Sequence, residues 1–180
     1  AAIGRENLPQ IRARLEGDEK LAELASAFGA PVILDAGFRD GSLRQSAARE
    51  KCNILLYEAG EALRFDELSI RAGVRGIVQV MRRLGMLPEL KRGGRTHTVV
   101  ARTTRWVRAP SSGIVTSAAE LGRRVSKGDR LALICDPLGG MEADVVAPID
   151  GMVIGCGRKL LAYEGVALFH LADFRSVGRA

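Results

Sequence analysis

At 180 residues the chain is long enough for one large domain or two small ones. With 47% hydrophobic and 27% charged residues its composition is that of an ordinary water-soluble globular protein. No apolar run approaches the roughly 20 residues that span a bilayer, which argues against membrane insertion. The net charge of +6 is uneven: residues 1–92 carry 15 basic and 13 acidic side chains, residues 93–180 carry 12 and 8. Part of the excess lies in Arg92, Arg95, Arg102, Arg105 and Arg108, but the few aromatics do not interleave with these arginines. A solvated, partly paired face is therefore expected here, and no nucleic-acid surface. The polar opening Ala1-Ala2-Ile3-Gly4-Arg5 does not read as a signal peptide. Cys52, Cys135 and Cys156 are odd in number and form no CxxC, so they read as reduced packing residues of a cytoplasmic protein.

In chain order, Arg5-Glu6-Asn7-Leu8-Pro9 reads as polar and extended. A helix is expected from Asp18 to Phe28, with Leu21, Leu24, Ala25 and Phe28 at helical spacing, Asp18 as N-cap and Gly29 as the stop. Pro31-Val32-Ile33-Leu34-Asp35 reads as a short buried strand, residues 37–41 as a loop, and Ser42 as the cap of a helix ending near Lys51. The run Ile54-Leu55-Leu56-Tyr57 is continuous and β-prone. It reads as a strand buried on both faces with Glu58 at its carboxyl end, where α/β sheets gather catalytic groups. Against apolar walls such a carboxylate would suit general acid–base work; the alternative is a solvated residue or half of an ion pair. Residues 18–58 thus follow a parallel α/β crossover pattern. A helix from Phe65 to Leu84 should bury Leu68, Ile70, Ile77, Val78, Val80, Met81 and Leu84, with Gly73 and Gly76 marking close packing. Two strands are too few for such a domain, which suggests the end of a larger sheet.

Pro88 to His97 reads as a linker, after which glycine-divided β runs take over. Ala109-Pro110-Ser111-Ser112-Gly113-Ile114-Val115 matches Ala147-Pro148-Ile149-Asp150-Gly151-Met152-Val153, 38 residues on, and each copy leads to a further strand after Gly128 or Gly165. Glycines at positive-φ turns and a small sandwich with approximate internal two-fold symmetry are expected. The repeat resembles the biotinyl/lipoyl barrel-sandwich domain over about 105–172. The hairpin Asp136 to Asp144, where carriers place a modified lysine, contains none, which speaks against a carrier.

Together the motifs Arg5-x-Asn7-Leu8-Pro9-Gln10-Ile11-Arg12, Phe28-Gly29-Ala30-Pro31-Val32-Ile33, Gly41-Ser42-Leu43-Arg44 and Tyr57-Glu58-Ala59-Gly60-Glu61, with the closing β half, resemble the C-terminal part of the succinylglutamate desuccinylase/aspartoacylase family. These are zinc hydrolases related to the zinc carboxypeptidases. The resemblance implies residues 1–92 as the partial α/β catalytic domain, the end of a carboxypeptidase-like sheet with flanking helices, and 93–180 as an all-β barrel-sandwich domain. It implies Glu58 as general base on zinc-bound water and Arg44 as the clamp for a substrate carboxylate, against the alternative of an exposed helix charge. Arg39, Arg5 and Asn7 would line the same pocket, and Tyr163 would reach it from the β half or stand as an ordinary strand-end tyrosine. The substrate class implied is a small N-acyl amino acid or similar amide, with esters left open, and a homo-oligomer is left open as well.

The family's His-x-x-Glu pair and later histidine are missing from this sequence. His97 and His170 read as structural. One zinc per full-length chain is expected, held by ligands upstream of Ala1, and the 180 residues alone are expected to be inactive. The competing readings are a metal-free protein binding a ligand or partner on the same scaffold and, less favoured, an adaptor built on the β domain.

Overall fold

The computed structural model describes residues 3–89, 98–116, 118–138, 140 and 142–173. The first half runs β1 (Arg5–Ala13), α1 (Glu19–Phe28), β2 (Val32–Asp35), α2 (Leu43–Arg49), β3 (Leu56–Gly60) and α3 (Glu67–Arg83). Among the described residues the elements of the second half are all strands: β4 (Val99–Ala101), β5 (Thr104–Arg108), β6 (Gly113–Thr116), β7 (Arg124–Val125), β8 (Arg130–Cys135), β9 (Glu142–Val146), β10 (Gly151–Gly157), β11 (Leu161–Ala162) and β12 (Ala167–Asp173). Among the described residues no helix is long and apolar enough to cross a membrane.

The helices begin where the caps place them. Asp18 accepts from Leu21 N–H at 2.8 Å and Gly29 closes α1 at φ 76°. Ser42 accepts from Gln45 N–H at 3.2 Å, and Asp66 accepts from Leu68 and Ser69 N–H. Each cap satisfies N–H groups that the first helical turn leaves without a partner.

The sheet differs from the expected parallel crossover. Its centre is β1, the segment expected only to be extended. β1 pairs parallel with β2 and antiparallel with β3 and β10, while β2 pairs parallel with β4. Among the described residues β3 is an edge strand, antiparallel to β1, and it is not buried on both faces. Tyr57 turns inward to Phe28, with ring centroids 5.2 Å apart, and donates its hydroxyl to Ser69 C=O, while Leu56 is exposed. Ile54 and Leu55 precede the strand, and Leu55 packs against the α1 core. The continuous apolar run therefore misplaced the element: the strand begins at Leu56, and Glu58 is its third residue and not its carboxyl end.

Helix α3 also departs from expectation. Its buried residues are Ser69, Gly73 and Gly76, whereas Leu68, Ile70, Ile77 and Leu84 of the expected stripe are exposed. Small residues win this contact because rings already fill it: a Cβ on Gly76 would lie 2.2 Å from Phe28 Cε1, and one on Gly73 2.9 Å from Tyr57 Cε1. The cysteine expectation is corrected at one position. All three thiols are free, and Cys156 is packed, but Cys52 is exposed.

The repeat in the second half appears as an exchange of strands. β6 pairs with β8 and β10 with β12, each within its own copy. The third strands cross over, β7 to β10 and β11 to β6, and so do the first, β5 to β12 and β9 to β8. Two equivalent layers, β7-β10-β12-β5 and β11-β6-β8-β9, enclose a core that includes Leu131, Ile134, Val145, Val153, Phe169 and Leu171. Among the described residues the layers do not close into a barrel. The paired glycines Gly113 and Gly151 serve close approach more than turn geometry: a Cβ would lie 2.6 Å from Cys135 C=O and 2.3 Å from Ala172 C=O. The positive-φ expectation does hold at Gly128 (φ 94°) and Gly165 (φ 79°).

The expected boundary at 92/93 falls among residues 90–97, outside the described ones, as does His97. Strands from both sides of that position belong to one eight-stranded mixed sheet, joined where Arg5, Glu6 and Asn7 pair with Gly157, Cys156 and Gly155.

Candidate active site

The site is laid out by an irregularity in β1. Between Asn7 and Gln10 the register against β3 shifts: Asn7 faces Gly60, and Gln10 faces Glu58. The shift spans Leu8 and Pro9, and proline, having no N–H for the ladder, is tolerated within sheets at such bulges. Past the bulge, Gln10 and Arg12 turn to Glu58. Gln10 Nε2 donates to Glu58 Oε2 at 3.3 Å, and Arg12 Nε forms an ion pair with the same oxygen at 2.7 Å. Ile11 and Ala13, on the opposite face, are buried under α1. Gln10 is fully buried, and its Oε1 has no partner among the described residues.

Glu58 is thus not walled by apolar side chains, as expected. It is half of an ion pair, the alternative raised from the sequence, with 26% of its side chain exposed. Its neighbourhood is strongly cationic. Burial, together with the charges of Arg12 and Arg39, lowers the Arg44 pKa, while Glu58 raises it. Glu58, Arg12, Arg39 and Arg44 therefore form one electrostatic group, contributed by β1, β3, α2 and the β2–α2 loop.

Arg44 is held in place by its own loop. Its Nη1 donates to Ala36 C=O at 2.9 Å and its Nη2 to Gly37 C=O at 3.0 Å. The guanidinium lies 5.8 Å from the Phe38 ring, which Arg14 approaches at 5.4 Å. Those bonds fix the arginine's direction and, among the described residues, leave the second proton of each terminal nitrogen uncommitted. Arg39 lies in the same loop.

Arg5 and Asn7 stand on the other side of the bulge, beside the β half. Arg5 places its guanidinium carbon 4.6 Å from the Trp106 ring centroid. Trp106 stacks on His170 at 4.0 Å with the rings 5° from parallel. Asn7 is buried next to Gly155, where an added Cβ would meet Asn7 Oδ1 at 3.1 Å. Burial first, and then the charges of Arg12, Arg5 and Arg39, push the His170 pKa down to about 4. Of the six expected residues, Glu58, Arg44 and Arg39 share one electrostatic group with Arg12, Arg5 is tied to it through His170, and Asn7 lies apart beside Gly155. Tyr163 is exposed in the turn between β11 and β12, and its hydroxyl joins none of the contacts described here.

Sequence reasoning missed Gln10, Arg12, Trp106 and His170. For the first two a signal existed: a proline inside a polar extended segment marks a bulge, and a bulge re-aims the residues after it. Nothing in the local sequence ties Trp106 and His170 to residues a hundred positions earlier.

Among the described residues no three His, Cys, Asp or Glu side chains come together as a metal-holding group, and Glu58 is engaged by Arg12 and Gln10. The described residues do not by themselves fit a resident zinc.

No family model matches the chain, and no curated protein matches it. Solved structures do, and they define the fold as that of the succinylglutamate desuccinylase/aspartoacylase proteins. The ectoine utilization protein EutE (DoeB) from Ruegeria pomeroyi superposes with a TM-score of 0.81 at 18% identity, over 96% of this chain and 57% of that one. A succinylglutamate desuccinylase/aspartoacylase from Rhodobacter sphaeroides gives 0.78 at 22% identity, over 95% and 55%. A succinylglutamate desuccinylase from Silicibacter sp. TM1040 gives 0.76 at 18%, over 97% and 55%. The chain spans a little over half the length of these structures.

Proposed function

We propose that this chain is the C-terminal part of a deacylase-type hydrolase that cleaves the amide, or ester, bond of a small N-acyl amino acid or similar substrate. The observation that carries the reading is the placement of Glu58. Glu58 stands among Arg12, Arg39 and Arg44, in a fold shared with desuccinylase and aspartoacylase structures. In this reading Glu58, its ion pair with Arg12 given over to the bound substrate, accepts a proton from attacking water and returns it to the leaving amine. The guanidiniums supply bidentate donors for a substrate carboxylate and for negative charge that develops on the attacked carbonyl. Zinc enters this reading only as a group held by residues outside the 180. The barrel-sandwich character of the β half belongs to the same proposal and is supported by its exchanged repeat.

The test uses the native gene product. Amine release from N-acetyl and N-succinyl amino acids is followed with wild type and with Glu58→Gln. If Glu58 is the base, the variant lowers kcat by about 10²–10⁴ with KM within a few-fold. A variant that keeps more than a tenth of the activity removes Glu58 from that role. A native product of 19.3 kDa that binds no metal and hydrolyses none of these substrates would favour the alternative, a metal-free binding protein on the same scaffold.

A further inference from the structure

His170 is the buried polar group that the proposed reaction leaves unused. It is 2% exposed, and neither ring nitrogen has a partner among the described residues. A neutral imidazole carries one donor and one acceptor, and leaving both unmet in an interior is costly unless something else is bound there. The surrounding strands hold the ring in one place. β12 pairs with β5 so that His170 lies opposite Trp106 and stacks on it, and Trp106 is approached by Arg5. On the other side β12 pairs with β10, where Gly155 faces His170. A Cβ there would lie 3.2 Å from His170 Cβ and 3.1 Å from Asn7 Oδ1, so the glycine lets asparagine and histidine approach each other closely.

The charges that act on the ring are those of Arg12 and Arg5 from β1 and Arg39 from the β2–α2 loop, and Arg5 reaches it across the Trp106 stack. Glu58 on β3 adjoins them through Arg12, while β5 and β10 face the ring with the uncharged Trp106 and Gly155. An uncharged imidazole among three guanidiniums offers a directional donor inside a field that attracts anions. A carboxylate answers both, taking the bidentate fork of an arginine and a hydrogen bond from the ring.

We propose that His170 is a specificity-determining residue of the site, donating a ring N–H to a substrate carboxylate that Arg5 and Arg12 also hold. The inference rests on the deacylase reading for the nature of the substrate, and it extends the pocket into the β half. Trp106 is a positioning residue in it, acting through the stack.

Succinate is the probe, added to the purified 180-residue chain and followed by NMR of the imidazole signals. The sequence has two histidines, so His170→Phe identifies the His170 signal. Free chain should titrate at that signal near 4. Saturating succinate should move the midpoint up by about a unit or more, which is the signature of roughly tenfold tighter binding to the imidazolium form. His170→Phe, which keeps a ring on Trp106, should weaken succinate about tenfold or more with an unchanged circular dichroism spectrum. His170→Gln, which keeps a donor, should recover part of the loss and serves if the Phe variant does not fold. A His170 midpoint unmoved by succinate, an absence of saturable binding, or wild-type affinity in a folded His170→Phe would each overturn the proposal. Binding of succinate requires neither metal nor turnover. Succinate held through His170 by a gene product that hydrolyses nothing would defeat the deacylase reading alone. An active enzyme whose KM is indifferent to His170→Phe would defeat this inference alone.

Discussion

Replacing Gly76 by alanine sets helix propensity against packing, and the structure decides which prevails. In the interior of α3, alanine is favoured over glycine by about 0.8–1.0 kcal/mol, so propensity alone makes Gly76→Ala stabilising. The new methyl would arrive 2.2, 2.3 and 2.4 Å from Cε1, Cζ and Cδ1 of Phe28. Real carbon contacts do not approach so closely, and the ring has little room to withdraw, being 7% exposed and in contact with Tyr57. Relief requires α3 to move off α1 or the ring to leave its rotamer, and overpacking of this kind costs about 1–3 kcal/mol. With three ring atoms in conflict the upper part of that range applies, so after the propensity gain the net loss is about 1–2 kcal/mol. For a domain of this size that lowers Tm by roughly 2–8 °C. Urea unfolding followed by circular dichroism measures it, with Phe28→Leu as the second arm, since the smaller side chain makes room for the methyl and the double mutant should recover stability relative to the sum of the singles. A Gly76→Ala variant more stable than wild type, or strictly additive with Phe28→Leu, would refute the packing account of α3.

Gly151→Ala should be costlier than Gly76→Ala, because its Cβ would meet a backbone oxygen, Ala172 C=O at 2.3 Å, and a strand cannot turn aside as a ring can; urea midpoints of the two variants compare them directly. Asp66 caps α3 and accepts from the Ser69 hydroxyl, a hydrogen bond that is the main cause of its lowered pKa. A carboxyl depressed in the folded state stabilises above its unfolded pKa, and that contribution is lost as pH falls through the folded value, so acid should weaken α3 below about pH 4 and Asp66→Ala, at a cost of about 1 kcal/mol at neutral pH, should remove that part of the acid sensitivity. His170 runs the other way from a salt-bridged histidine: its folded pKa of about 4 lies below its ordinary 6.5, so the unfolded chain binds the extra proton between those values and stability falls as pH drops from 6.5 to 4. The full window corresponds to roughly 3 kcal/mol, and His170→Gln should flatten it in a pH series of urea midpoints. The purified 180-residue chain should retain no zinc after dialysis and hydrolyse no N-acyl amino acid; a stoichiometric metal retained by that chain would show that its own residues form a site.

How much of this was legible in the sequence depended on how local each signal was. The caps Asp18 and Ser42 and the stop at Gly29 sit within four residues of what they bind, and those helix ends fall where the sequence places them, whereas Asp66, as local a cap, is passed over by the expected start of α3 at Phe65. The repeat was also legible, because two strands pair within each copy and the glycines at 113 and 151 do the same work twice. What failed was the reading of apolar runs. On α3, periodicity finds Ile70 and Ile77, but the face that meets α1 and β3 is set by the rings of Phe28 and Tyr57, and only glycine and serine fit under them. At β3, the run Ile54-Leu55-Leu56-Tyr57 suggested full burial, whereas its last two residues alternate across an edge strand and its first two lie outside it.

The two halves of the chain meet in the site for a reason that can be followed strand by strand. β1 serves two partners along one edge, β10 at Arg5–Asn7 and β2 at Gln10–Ala13, and its register against β3 slips between those stretches. Before the slip its side chains belong to the β half: Arg5 meets Trp106, and Asn7 packs closely on Gly155. After it, Gln10 and Arg12 belong to Glu58. His170 feels the charges of Arg12 and Arg5 alike, so it reports on both stretches. Moving the bulge by one residue would send Gln10 and Arg12 to the α1 side and leave Glu58 without its cation. The same chain segment therefore fixes the carboxylate proposed for catalysis and the histidine proposed for recognition, which is why a change at Pro9 or Gly155 should disturb substrate affinity and turnover together, although neither residue offers a group to a substrate.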